Sequence, residues 1–214
     1  VGGAAGATVI AQAVSGIGIT IAVLWKNPQL FPAKEQRIFQ KNTFLEISRY
    51  AFFTCLQQSV MNFGILMIQG LVNSFGTAIM AAFAAAVKID TLAYMPVQEF
   101  GNAFSLFVSQ NHGAKRPNRV KMGIHTAVRV SIVFCIIISA IVWIFARPFM
   151  QIFVDAGETS IIAEGVRYLH IEGTFYWGIG CLFLLYGLYR AIERPAMSLV
   201  LTIVSLGTRV ALAY

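Results

Sequence analysis

The 214-residue chain is 57% hydrophobic and only 12% charged, with a formal net charge of +7 and a mean hydropathy of +0.72. Soluble domains usually carry about 25% charged residues, so a water-facing globular surface is excluded and the chain reads as an all-α, polytopic membrane protein. The positive balance does not call for nucleic acid, because the basic residues fall in short loops between apolar spans, the bias of cytoplasmic loops.

The first residues lack the basic, apolar and small-residue segments of a signal peptide and read as a span already under way. Tyr214 falls inside another apolar stretch, so the expectation is a piece of a longer protein. About six spans can be drawn at 1–25, 47–74, 77–110, 122–146, 163–189 and 195–214, each near the 20 residues that a hydrocarbon core of about 30 Å requires. Residues 1–25 are expected to be the last helix of a preceding bundle. Residues 26–46, with Pro28 and Pro32, are expected to form a cytoplasmic linker, and 47–214 an incomplete C-terminal helical bundle.

Loop charge sets the orientation. Residues 26–49 hold five basic and two acidic side chains, and 112–129 hold Lys115, Arg116, Arg119, Lys121 and Arg129 with no acid. Segment 190–194 has two basics and one acid, whereas 73–76 has no charge and 147–167 has two basics against Asp155, Glu158 and Glu164. Basic and non-basic loops alternate, so loops 26–46, 112–121 and 190–194 are expected on the cytoplasmic side of a multi-pass cell-membrane protein. Cys55, Cys135 and Cys181 are odd in number and each lies in an apolar span. They read as small hydrophobes, with no metal site expected.

In the second span, Gln58, Asn62, Gln69 and Asn73 fall within about 60° on a helical wheel. Amides both donate and accept, so this stripe suits either a wet cavity or bonding between helices. The third span carries Lys88, Asp90 and Glu99, which are costly at membrane depth and mark candidate solute or ion paths. Lys88, Leu92, Met95 and Glu99 share one helical face. Lys88 and Glu99 are nevertheless about 16 Å apart along the axis, too far for direct pairing. Asp90 points elsewhere and needs a partner on a neighbouring helix.

Pro96 removes a backbone hydrogen bond and is expected to bend the third span, and Gly101 permits close approach or further bending. Both are gating candidates. In the fifth span, Gly173, Gly180 and Gly187 suit helix packing, with Phe175, Tyr176 and Trp177 beside the first. His170 reads as a solvated interfacial side chain. Arg209, deep in the last span, calls for a carboxylate, with Glu172 and Asp90 as candidates. No phosphate-binding glycine loop, nucleophile motif or nucleotide-binding domain is present, so neither enzyme chemistry nor an ATP-driven pump is expected.

The segments Gly6-Ala-Thr-Val-Ile-Ala-Gln12, Leu56-Gln-Gln-Ser59, Val72-Asn-Ser-Phe-Gly76, Gln110-Asn-His-Gly-Ala114 and Arg119-Val120 occur in this order. Tyr168-Leu169, Gly187-Leu-Tyr-Arg190 and Ser205-Leu-Gly-Thr-Arg-Val210 follow. Together they resemble the multidrug and toxic-compound extrusion family over nearly the whole chain. The resemblance implies two six-helix bundles (6+6) that enclose an inverted-V cavity and open alternately to either side. This chain would supply the sixth to eleventh helices and require an N-terminal bundle as its partner.

The resemblance further implies a secondary active antiporter, exchanging amphipathic, mostly cationic organic compounds for H⁺ or Na⁺ and holding no other cofactor. Gln58, Asn62, Gln69, Asn73, Lys88, Met95 and Tyr176 are then the substrate-cavity candidates. Some family members place a cation-binding Glu in helix seven, but stretch 56–64 offers Gln57, Gln58 and Asn62 with no acid. The coupling candidates are accordingly Asp90, Glu99 and Glu172. Two alternatives stand beside this one: a flippase for lipid-linked saccharides, which needs a groove richer in Arg and Lys, and a non-transport membrane scaffold whose third-span charges pair privately.

Overall fold

The computed structural model describes residues 2–26 and 39–213, so most of the expected 26–46 linker, including Pro28 and Pro32, lies outside the described residues. Among those residues the regular structure is helical: α1 (Gly2–Lys26), α2 (Lys41–Asn73), α3 (Thr77–Gly113), α4 (Pro117–Phe153), α5 (Thr159–Thr174), α6 (Tyr176–Ala191) and α7 (Pro195–Ala213). The chain divides into two units, 1–48 and 49–214. In the first, α1 is apolar and its described side chains are exposed, the composition of a helix whose surroundings are lipid or other helices rather than water.

Among the described residues, five helices are long and apolar enough to cross a membrane, and α5 with α6 makes a sixth span if the bent pair is taken together. The chain is thus a multi-pass membrane protein, as its composition requires. Helices α2, α3 and α4 are longer than the drawn spans. In particular, α4 continues through Arg147 and Pro148 to Phe153, so the loop expected at 147–167 shrinks to the few residues before α5 begins at Thr159.

In the second unit α3 is the hub, packed against α4, α5 and α6. One apolar cluster joins Ala85, Ala86, Ile89 and Val97 of α3 to Cys135, Val142 and Met150 of α4 and to Leu169 of α5. A second cluster joins Phe104 and Val108 to Ala127 and Leu184. Lipid tails are as apolar as leucine, so close packing rather than exclusion from water must hold such helices together. Small residues supply it. A methyl group at Gly187 would lie 2.6 Å from the Gly101 carbonyl oxygen, and one at Gly101 would lie 3.0 Å from the Phe183 carbonyl oxygen. Gly101 is therefore a packing position where α3 meets α6; of the fifth-span glycines, Gly187 packs closely on α3 and Gly180 on Cys135 of α4, whereas a methyl at Gly173 would meet Val142 at an ordinary 3.7 Å.

The fifth span is not one helix. It bends by 53° between α5 and α6, with Phe175 at the junction. The Gly173 carbonyl, which a backbone N–H at the α5 C-cap also reaches, accepts a hydrogen bond from Ser139 Oγ of α4 at 2.6 Å, and Thr174 Oγ1 bonds back to the His170 carbonyl at 2.7 Å. By contrast, α3 runs without interruption through Pro96.

The two basic turns share one construction. Lys115 and Glu193 adopt φ of 52° and 63°, each followed by Arg-Pro at the start of the next helix. The Arg116 N–H donates to the Asn111 carbonyl and the Arg194 N–H to the Tyr189 carbonyl, both at 2.9 Å. These bonds span the last helical turn and satisfy otherwise orphaned carbonyls. Proline then starts the next helix at a position where its missing N–H costs nothing. Gly76, with φ of 99°, makes the short α2–α3 turn.

Candidate functional site

Asp90 is only 4% exposed. Its place on α3 turns it towards α6, where the Tyr176 hydroxyl donates a hydrogen bond to its Oδ1. The neighbouring-helix partner expected for Asp90 is thus a phenol. Tyr176 is itself buried, and its observed part is to hold this carboxyl.

Asp90 lines a cavity of about 110 Å³ whose other polar walls are Gln69 of α2, Tyr94 of α3, Tyr168 and Glu172 of α5, and Arg209 of α7. Arg209 Nη2 lies 3.6 Å from Glu172 Oε2, so Glu172 is its carboxylate partner. Four helices converge here because their small or short residues allow it; the space above Gly64 of α2 is occupied by the Leu206 side chain of α7. The formal charge of these groups is two acids against one base. That leaves room for a cation, while the phenols and the amide supply neutral oxygen ligands. No group of three His, Cys, Asp or Glu residues disposed to hold a metal ion occurs among the described residues.

A second cavity, of about 170 Å³, lies between α2, α3 and α6 and is lined by Thr54, Gln57, Gln58, Gln98, Asn102 and Arg190, with Met61, Phe183 and Tyr186. Arg190 Nη2 donates to Asn102 Oδ1 at 3.0 Å, and Asn102 Nδ2 donates to Glu99 Oε2 at 3.3 Å. Glu99 is exposed and joins this chain of hydrogen bonds; it does not line the first cavity with Asp90 and Glu172.

The remaining expected residues divide accordingly. Of the amide stripe, Gln69 lines the first cavity and Gln58 the second. Asn62 and Asn73 are exposed and line neither, although Gln69 Nε2 donates to Asn73 Oδ1 at 3.3 Å. Lys88, Leu92, Met95 and Glu99 share one exposed face, and Lys88 Nζ lies 5.8 Å from the centre of the Phe153 ring. Lys88 and Met95 line neither polar cavity, and Pro96 is exposed. His170 is more than solvated: its ring stacks on Trp143 at 4.5 Å between centres, and its Nε2 lies 3.0 Å from the Trp143 carbonyl oxygen.

Absent from the expected set were Tyr168, Arg190, Gln98 and Asn102. Spacing alone carried a signal for some of them: Tyr168 and Glu172 are four apart, as are Gln98 and Asn102, so each pair shares a helix face.

Apolar helices of spanning length around buried polar cavities define a multi-pass membrane bundle. The MatE family model matches residues 51–214, and the chain belongs to that family, in agreement with the resemblance to multidrug and toxic-compound extrusion proteins. It is 27% identical over 206 residues to the probable multidrug resistance protein YpnP of Bacillus subtilis, covering 96% of this chain and 45% of that protein. It is 24% identical over 207 residues to the probable multidrug resistance protein NorM of Thermotoga maritima, covering 96% and 44%. A FAD transporter of Shewanella oneidensis is 21% identical over 137 residues, covering 64% of this chain and 30% of that protein. The chain spans less than half the length of these relatives.

Proposed function

We propose that this chain is part of a secondary active efflux transporter, not an enzyme, exporting amphipathic, mostly cationic organic compounds in exchange for H⁺ or Na⁺. The observation that carries this reading is the cavity that buried Asp90 lines together with half-buried Glu172 and the more exposed Arg209, among otherwise apolar helices. A carboxylate at such depth requires compensation. A transported cation or proton supplies it in one state of the cycle, and Tyr176 holds the carboxyl in place throughout. Asp90 and Glu172 are the coupling acids in this reading, and the amides and phenols around them tolerate different cations because they impose no fixed charge of their own. The names of the YpnP and NorM relatives support efflux of drugs. The partner bundle is the N-terminal half that these relatives' greater length leaves room for.

The test is dye extrusion by the intact protein in inverted vesicles under imposed pH or Na⁺ gradients. One of the two gradients is expected to drive accumulation, and Asp90→Asn to abolish the response while the protein still inserts and folds. Dye movement indifferent to both gradients overturns the coupling. A folded Asp90→Asn variant with unchanged extrusion removes Asp90 from it.

A further inference from the structure

We propose that the cavity between α2, α3 and α6 binds an oxyanion, the carboxylate or phosphate head of an amphipathic molecule, with Arg190 as the charge partner and the Gln57 and Gln98 amides as neutral donors. Arg190 is half-buried in the last turn of α6 and forms no ion pair among the described residues. Two bonds, from Nε to the Tyr186 carbonyl at 3.3 Å and from Nη2 to Asn102 Oδ1 at 3.0 Å, use two of the five guanidinium N–H donors. Three N–H donors are left over, and Arg190 lines the cavity. A partly desolvated guanidinium without a counter-charge is costly, and a planar oxyanion meets its fork-shaped donor set with two parallel bonds.

Gln57 makes the independent observation. It is 6% exposed, lines the cavity and forms no hydrogen bond with another described residue. Its amide keeps accessible surface, because Ser131 Oγ is the one fully buried side-chain polar atom without a partner among the described residues, and that surface is open to whatever occupies the cavity. Here it projects into space beside a cation. Gln58 and Gln98 also line that space without a bonded partner among the described residues.

Glu99, the nearest carboxylate in the hydrogen-bonded chain, touches Asn102 rather than Arg190 and is not part of the lining, so the cavity's formal charge is that of Arg190. Phe183, Tyr186 and Met61 complete the wall with apolar surface, which suits the first atoms of a tail. Arg190 opens the basic 190–194 segment, so the head would enter from the side that charge bias assigns to the cytoplasm. The site is separate from the Asp90 cavity and takes the opposite charge, so its occupancy is measurable whether or not the protein couples transport to an ion.

The test is a thermal-shift titration of the intact purified protein in neutral detergent with dodecyl phosphate, against dodecyltrimethylammonium as the cationic control. Dodecyl phosphate is expected to stabilise the protein saturably. Arg190→Gln should weaken its apparent affinity roughly 10- to 100-fold, and Gln57→Leu roughly 3- to 10-fold, with Arg190→Lys between wild type and Arg190→Gln. Gln57→Leu breaks no bond to a described residue, so it decides the matter if Arg190→Gln fails to fold.

Repeating the titration in phosphatidylcholine nanodiscs with and without phosphatidate distinguishes the sources of the head group. Competition by phosphatidate identifies a lipid head group, and its absence a soluble amphiphile; either supports the oxyanion assignment. Equal stabilisation by the cationic control, or undiminished dodecyl phosphate affinity in folded Arg190→Gln and Gln57→Leu, overturns it.

Discussion

Asp90 and Tyr176 are 86 residues apart in sequence, and both are buried, so the hydroxyl's hydrogen bond is a large part of what makes the acid tolerable at that depth. Hydrogen bonds to charged groups contribute about 1.5–3 kcal/mol. Tyr176→Phe should therefore lower the melting temperature in detergent by an amount equivalent to about that energy. The double variant Asp90→Asn/Tyr176→Phe should lose less than the sum of the single changes, because contacting partners are not independent. Strict additivity in that cycle would mean that the two side chains do not interact.

Close packing gives a second residue-scale expectation. Alanine at Gly187 places its methyl against the Gly101 carbonyl, whereas alanine at Gly178 meets nothing within 4 Å. Overpacking typically costs about 1–3 kcal/mol. Gly187→Ala should be measurably less heat-stable than wild type and Gly178→Ala should match it. Equal melting temperatures for the two variants would show that α3 and α6 do not cross as closely as 2.6 Å implies.

At the scale of the element, the bend between α5 and α6 depends on a neighbour. Breaking a helix in a membrane frees backbone groups that water does not reach, and another side chain must satisfy them. At Gly173 the carbonyl accepts a backbone N–H at the α5 C-cap, and Ser139 of α4 adds a second donor that ties the bend to α4. Removing it in Ser139→Ala should cost about 1 kcal/mol and speed amide hydrogen exchange around Thr174–Tyr176. The exposed Ser109→Ala, which loses only bonds within its own helix, should do neither. Exchange unchanged by Ser139→Ala would mean that the bend stands without its cap.

The same element shows what local reading reaches. Hydropathy is a property of neighbouring residues, so the spans and the alternation of basic loops were legible. The break was not, because 163–189 contains no proline and its cap lies 34 residues away in α4. Pro96, the strongest local sign of interruption, sits inside a helix that continues through it. The candidate site divides the same way: Asp90 and Glu172 were visible as charges among apolar residues. That Tyr176 and Arg209 are their respective partners depends on which faces of α6 and α7 turn inward, and the amide stripe of α2 could not show that Gln69 and Gln58 serve separate cavities.

For the whole molecule, the sidedness of the turns organises everything else, because it decides from which compartment the Arg190 cavity is reached. The two Arg-Pro turns lie at the same end of their helices in chain order, after α3 and after α6, and segments 112–121 and 190–194 that contain them both carry an excess of base. The turn between α4 and α5 carries Asp155 and Glu158 instead, with Asp155 Oδ1 accepting the Gly157 N–H at 3.1 Å. The positive-inside bias puts the Arg-Pro turns in the cytoplasm and this one outside.

Single cysteines test that assignment in a background where Cys55, Cys135 and Cys181 are replaced by serine or alanine. Asn118→Cys lies at the exposed start of α4. At Gly157→Cys the new Cβ meets only the Asp155 carboxylate, at an ordinary 3.7 Å. A membrane-impermeant maleimide applied to intact cells should label Gly157→Cys at once and Asn118→Cys only after permeabilisation. The reverse pattern would invert the orientation and open the Arg190 cavity to the outer half of the bilayer. Labelling of both in intact cells would show that the residues between them, 119–156, do not cross the membrane an odd number of times, and the reading of α4 as a single span would fall with it.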